Sequence, residues 1–436
     1  MKTLHTRRAF LRTSLLGGAV AWTVPAFIEQ TFLSMDALAA DSAIQLANGK
    51  DGPILVVLQL AGGNDGLNTL VPFADDAYHR ARPKIGLRAD AVLKLTDAVG
   101  FHPKLVSLRG LYDSGDLGIV QGVGYPNPNR SHFRSTEIWQ TAVGAQETSS
   151  TGWLGRYFDS CCQGADPAVG VSIGDQVPQA FAAAEPKGIS FARPEQFRFD
   201  AEKASDPEAA EEFFRNMAGG SEADNDGGSI GMLGGAGAES GDTLEFLRRT
   251  TLDAQMSSDK VLAITRKSKA PVPYPGGNLA SSLNLVARLI AGGMPTRVYY
   301  VGHGGYDTHS NQAGSHERLL GDLDAALGAF TADLKAQGNF QRVTVMTFSE
   351  FGRRVAENAS GGTDHGAAAP MFLIGGGAKP GLHGTAPSLT NLHDGDLIHG
   401  IDFRAVYADV LENWLGAPSS GVLKGTFRPP GVIRPA

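Results

Sequence analysis

Short runs of apolar, β-branched residues recur along the chain, each long enough for one buried strand. They are Ile54–Leu60, Gly118–Val123, Val169–Ile173, Arg297–Val301, Val343–Phe348 and Met371–Ile374. Between most of them lie segments with the spacing of helices: Pro103–Leu111, Trp153–Cys162, Thr243–Lys267, Asn278–Ile290, Ser315–Lys335 and Phe403–Leu415. Strands that alternate with helices predict an α/β fold around a doubly wound, mostly parallel sheet. The strand runs are continuously apolar, so helices are expected on both faces.

One region breaks this pattern. Ala218–Asp242 is rich in Gly, Ala, Ser and Asp, with Ile230, Met232 and Leu233 as its only large apolar residues. Such a stretch cannot bury a core and reads as a mobile loop. With its helical flanks it makes residues 206–270 an insertion or cap on a single domain spanning 40–436. No internal repeat is visible.

The amino terminus has a separate logic. Thr6-Arg7-Arg8-Ala9-Phe10-Leu11-Arg12 precedes a small, weakly apolar stretch, and Ala37-Leu38-Ala39 has the small-x-small form of a cleavage site. This is the plan of a twin-arginine signal over residues 1–39, read by the twin-arginine translocase. The mature chain is then expected in the periplasm or beyond, with no membrane span, because no later segment is long and apolar enough. A net charge of −7 without a Lys/Arg cluster argues against nucleic-acid binding. The two cysteines, Cys161 and Cys162, are adjacent. Adjacent cysteines have poor geometry for a bridge, so they read as two small residues on a helix.

In a doubly wound sheet, ligands sit beyond the carboxyl ends of the strands. The turns at that edge are therefore informative. Ala61-Gly62-Gly63-Asn64-Asp65-Gly66 follows the first strand, and Tyr125–Ser135 follows the second. Gly302-His303-Gly304-Gly305-Tyr306-Asp307-Thr308-His309 and Ser349-Glu350-Phe351-Gly352-Arg353-Arg354 follow two more. Thr363-Asp364-His365-Gly366 precedes the last. Any one such turn is ordinary loop chemistry; five at one edge point to a bound cation. Carboxylates mixed with imidazoles suit Zn, Mn, Mg or Ca. Asp307 and His309 are two apart, so in extended chain both point the same way. Ser131 sits at a helix start, where free N–H groups favour an anion, and Ser135 lies one turn further in. His102 reads as a surface or capping residue and His316 as part of a solvated helix. Arg353 and Arg354 either bind an anion or pair with surface carboxylates.

The set formed by the twin-arginine signal, Gly-Gly-Asn-Asp-Gly-Leu-Asn (62–68), Tyr-Asp-Thr-His-Ser-Asn-Gln (306–312), Ser-Glu-Phe-Gly-Arg-Arg (349–354) and Thr-Asp-His-Gly (363–366) resembles one exported bacterial family. It is the domain-of-unknown-function family numbered 1501, itself similar to the alkaline phosphatase and sulfatase superfamily. The resemblance implies an alkaline phosphatase-like fold holding one or two divalent metal ions. It implies metal ligands at Asp65, Asp307, His309, Glu350 and His365, and a nucleophile at Ser131 with Ser135 in reserve. Asn64, Arg130 and Arg353 become candidates for holding a small anionic ester. The function so implied is metal-dependent hydrolysis of a phosphate, sulfate or related ester. Three departures matter: Asp307 and His309 are closer than the superfamily spaces such ligands, Glu350 stands where Asp-His is usual, and the sulfatase cysteine motif is missing. The alternative is a non-catalytic exported metal-binding or assembly protein that keeps the fold.

Overall fold

Along the first strand, Ile54, Val56, Leu58 and Leu60 pack into one apolar cluster, while Leu55 and Val57 pack into another. Successive side chains of a strand point to opposite faces, so this sheet is covered on both sides. The structure, a computed structural model, describes residues 52–436 apart from 163–165, 175, 185–187, 195–256 and 269. The signal over 1–39 and the loop 218–242 lie outside the described residues, as does residues 206–256 of the expected insertion.

Among the described residues, nine strands form the central sheet: β1 (Ile54–Ala61), β2 (Leu117–Gly124), β3 (Gly170–Ile173), β4 (Ile189–Ser190), β5 (Val298–Gly304), β6 (Val343–Phe348), β7 (Ala369–Gly375), β8 (Gly381–His383) and β9 (Ile401–Asp402). Their order is β8-β2-β7-β6-β1-β5-β3-β4, with β9 also paired to β2. Only β7 runs antiparallel to its neighbours, β2 and β6; the other pairings are parallel. The sheet is therefore mixed and mostly parallel. Three of its strands, β4, β8 and β9, have two or three residues, too few to carry a periodic signal in the sequence.

Among the described residues the α-helices are α1 (Gly66–Thr69), α2 (Asp76–Ala81), α3 (Val106–Asp113), α4 (His132–Thr141), α5 (Trp153–Cys161), α6 (Asn278–Ala291), α7 (Gln312–Ala336), α8 (Phe403–Asp409) and α9 (Ser419–Val422). Residues 257–267 are also helical, and α8 continues into a π-helical turn, Val410–Trp414. One face of the sheet is covered by α3, α6 and α7 through Leu108, Leu283, Val286, Leu323, Leu327 and Phe330. The other is covered by α4, α5 and α8 through Ile138, Trp139, Trp153, Phe158, Phe403 and Tyr407. No described helix is long and apolar enough to cross a membrane.

Cys161 and Cys162 form a disulfide, against the expectation that they stay unpaired. The chain leaves α5 between them: Cys162 has φ −130° and ψ 32°, and this departure from the helix brings the two side chains together.

β1, β2, β5 and β6 all end at one edge of the sheet, and the antiparallel β7 begins there. The five turns singled out in the sequence thus meet at this edge. Close approach of two of them requires glycine. A Cβ at Gly62 (φ +118°) would lie 2.5 Å from the backbone nitrogen of Asp307, and one at Gly362 would lie 2.3 Å from the carbonyl carbon of His309.

Candidate metal centre

Four side chains converge between these turns. His132, Asp307 and His365 each offer a ligand atom within 4.8 Å of the other two. His309 joins them, its Nε2 being 2.8 Å from Nε2 of His365 and 3.1 Å from Oδ1 of Asp307. Nε2 of His365 is also 3.1 Å from Asp307 Oδ1, and Nε2 of His132 is 3.4 Å from Asp307 Oδ2. Of the five ligands expected from sequence, the structure brings together Asp307, His309 and His365 and adds His132.

The other ring nitrogen of each histidine fixes its tautomer. His365 Nδ1 lies 2.7 Å from the carbonyl oxygen of Arg130; a carbonyl only accepts, so Nδ1 carries the proton. His309 Nδ1 faces Asp364 Oδ1 at 3.2 Å and His132 Nδ1 faces Glu350 Oε1 at 2.9 Å. The Nε2 atoms of all three rings are directed at the Asp307 carboxylate, and those of His309 and His365 also at each other. Partners on the far nitrogen are what orient imidazole as a metal ligand. His132 Nε2 and Glu350 Oε2 are buried with no hydrogen-bond partner, and a bound cation would satisfy both. Phe351, buried, packs its ring against both His132 and His365, with centroids 4.9 and 4.6 Å away.

Asp307 stays ionised. Partial burial pushes its carboxyl up, but hydrogen bonds from Arg353 (2.7 Å) and His365 and the charges of Arg353 and His309 outweigh this and hold it at about 2.

The remaining expected site residues have other duties. Asp65 is fully buried as the N-cap of α1, accepting from Leu67 N. Its other oxygen binds Arg82 at 2.6 Å and Gln312. Arg82 also donates to Asn68 Oδ1 and to the carbonyls of Val355 and Arg354. A guanidinium thus stands where the sequence suggested an ion, and burial's upward push on Asp65 is overcome by that charge. Glu350 accepts from His132 and from the amide of Gly62 (2.7 Å) through Oε1, which ties it to the candidate ligand His132, while its Oε2 has no partner.

Asn64, 1% exposed, is bonded to Ser349, Thr69 and His316 and cannot reach a substrate. Arg353 is equally buried. It donates to the carbonyls of Gly62, Gly63, Tyr306 and Thr363 and to Asp307, tying three turns together with no face left for an ester. Arg130 remains partly open, with two nitrogens on Asp396 Oδ2 at 2.9 and 2.6 Å.

Ser131 is exposed at the N-cap of α4 and makes no capping hydrogen bond. Ser135 is buried, its hydroxyl bonded to the Asn129 carbonyl at 2.6 Å and to Tyr125 at 3.0 Å. His102 and His316 are not surface residues: they are 5% and 2% exposed and stack edge to face beneath Asn64.

The chain belongs to a family described as "Protein of unknown function (DUF1501)", whose profile matches residues 118–414. No curated protein matches it. Among solved structures it is similar to the PsFucS1 sulfatase from Pseudoalteromonas sp. (TM-score 0.38, 10% identity, 91% of this chain and 77% of that one). It is also similar to the lipoteichoic acid synthase LtaP from Listeria monocytogenes (0.34, 10%, 79% and 71%), and to the alkaline phosphatase of the Antarctic bacterium TAB5 (0.31, 13%, 76% and 94%).

Proposed function

We propose that this chain is an exported, metal-dependent hydrolase of phosphate, sulfate or related esters, with His132, Asp307, His309 and His365 holding one divalent ion. The observation that carries this reading is the meeting of His132, Asp307 and His365, each offering a ligand atom within 4.8 Å of the other two, with Nε2 of His309 beside them. A set of three nitrogens and one carboxylate suits zinc, which would have to expand to five-coordinate to admit water or ester, with manganese as the next choice. Bound there, such an ion neutralises charge on the ester and activates a hydroxyl or water.

The protein's own groups do the rest. Glu350, Asp364 and the Arg130 carbonyl keep the imidazoles oriented. Ser131, one residue before His132, presents an open hydroxyl at the start of α4, where unpaired backbone N–H groups can hold an anion. Around the centre, Asp65, Asp307, Glu350, Asp364 and Asp396 face Arg82, Arg130, Arg353 and Arg354. This is one negative charge in excess, which a divalent ion converts to one positive charge, as an anionic substrate requires.

One observation favours the non-catalytic alternative: no base caps or bonds the Ser131 hydroxyl. Metal analysis of purified protein, with a panel of phosphate and sulfate esters, decides between them. One equivalent of ion with turnover lost in both His132→Ala and Ser131→Ala is expected; an ion without turnover leaves a binding protein; well-folded protein that takes up no ion ends the metal-dependent hydrolase. Export is tested by replacing Arg7 and Arg8 with lysine, which should hold the protein in the cytoplasm.

A further inference from the structure

Beside the centre, two arginines share one aspartate. Arg130 places Nε and a terminal nitrogen on Asp396 Oδ2, and Arg354 brings its Nε to 3.6 Å from Oδ1 of the same carboxylate. Asp396 is 3% exposed and its Oδ1 makes no hydrogen bond. The guanidinium groups are different: their side chains are 38% and 36% exposed. Among the described residues, neither terminal nitrogen of Arg354 has a hydrogen-bond acceptor. One buried carboxylate therefore draws two cationic groups together and leaves planar N–H edges facing solvent.

The backbone places this pair at the centre. The Arg130 carbonyl accepts from His365 Nδ1, and Arg130 is two residues before His132. The Arg354 amide donates to the Asp364 carbonyl at 3.0 Å, next to His365. Both arginines thus stand on the chain segments that carry metal ligands. Guanidinium groups present N–H pairs that match the oxygens of phosphate and sulfate.

We infer that Arg130 and Arg354, held by Asp396, form a clamp for a tetrahedral oxyanion, and that Arg354 is a specificity residue for the ester proposed above. This rests on that reading only for the identity of the ester; binding of the anion itself does not require turnover.

The test is calorimetric titration of inorganic phosphate and of sulfate into the full-length protein, with and without zinc. Binding without zinc is expected, weakening as salt rises. Arg354→Gln should weaken it at least about tenfold, which is about 1.4 kcal/mol, with zinc content and melting temperature unchanged. Arg354→Lys, which keeps the charge and loses the fork, should fall between. Failure of the protein to bind zinc would count against the hydrolase reading alone. Anion affinity in Arg354→Gln within about twofold of the unmutated protein would overturn the clamp, as would phosphate that binds only when zinc is present and ignores both variants.

Discussion

Nε2 of His309 lies 2.8 Å from Nε2 of His365. Their Nδ1 atoms face Asp364 and the Arg130 carbonyl, so two neutral rings in this position would set lone pair against lone pair. A cation is the simplest group that makes such a contact favourable, and stability should report it. A ligand that binds only the folded state stabilises it by RT ln(1 + [L]/Kd), about 2.7 kcal/mol when free ligand is 100 times Kd. Zinc should raise the melting temperature of the unmutated protein, and His365→Ala should abolish the increment. Equal melting temperatures with zinc and with a chelator would remove the centre.

The carboxylate of Glu350 tests the layer behind the ligands. Oε1 accepts from His132 Nδ1 and from the Gly62 amide. Glu350→Gln keeps one acceptor and removes the charge that makes His132 a stronger donor. Loss of such a partner costs about 10–100-fold in metal affinity, readable by competition with a chromophoric chelator. Unchanged affinity would mean that His132 is not a ligand.

Arg82 and Asp65 form a fully buried ion pair. Removing one partner of such a pair leaves a buried charge and costs about 3–5 kcal/mol. Arg82→Met should lose that much in urea unfolding, and the double variant Arg82→Met, Asp65→Leu should recover part of it. Both should retain one equivalent of ion. Loss of the ion from the folded double variant would restore Asp65 as a ligand.

How far the sequence reveals this arrangement depends on the length of each signal. The six long strands are legible because continuous apolar runs have no other home than a sheet covered on both faces. The edge turns are legible because glycine and carboxylates recur after each strand. Roles within a turn are not. Asp65 and Asp307 sit in similar glycine-rich company, yet only the fold brings Arg82 onto the first. Arg353 and Arg354 are neighbours in sequence, and only packing sends one to bind five turn oxygens and leaves the other partly open. His132 had a signal, an imidazole at the first residue of a helix that follows a strand at this edge, but the adjacent Ser131 drew the functional assignment.

The two serines should separate cleanly. Ser131 makes no capping bond, so Ser131→Ala should change stability by less than about 0.5 kcal/mol. Ser135→Ala leaves the buried Tyr125 hydroxyl and Asn129 carbonyl short of a partner and should cost about 1–3 kcal/mol. If the chain is catalytic, only Ser131→Ala should lose turnover while keeping its fold. A Ser135→Ala protein that is stable but inactive would reverse the two roles.

Acid sensitivity follows from the buried histidine pair. Burial lowers His316 from 6.5 to about 4, against the pull of Asp65, and burial lowers His102 to about 4, against Glu317. Both are therefore neutral in the folded protein at pH values where an unfolded histidine is protonated. The unfolded state binds more protons between about pH 6.5 and 4, so stability rises with pH across that window. Read downward, the contribution is intact above 6.5 and is lost progressively as pH falls towards 4. Each histidine contributes a slope of up to about 1.4 kcal/mol per pH unit. The rings face each other at 6.1 Å, so a proton on one disfavours a proton on the other. Urea unfolding at pH 7, 5.5 and 4.5 should show this loss, and His316→Gln should flatten it by about one proton's worth. An equal slope in His316→Gln would assign the acid sensitivity to the carboxylates, whose window lies lower because Arg82 holds Asp65 below its usual range.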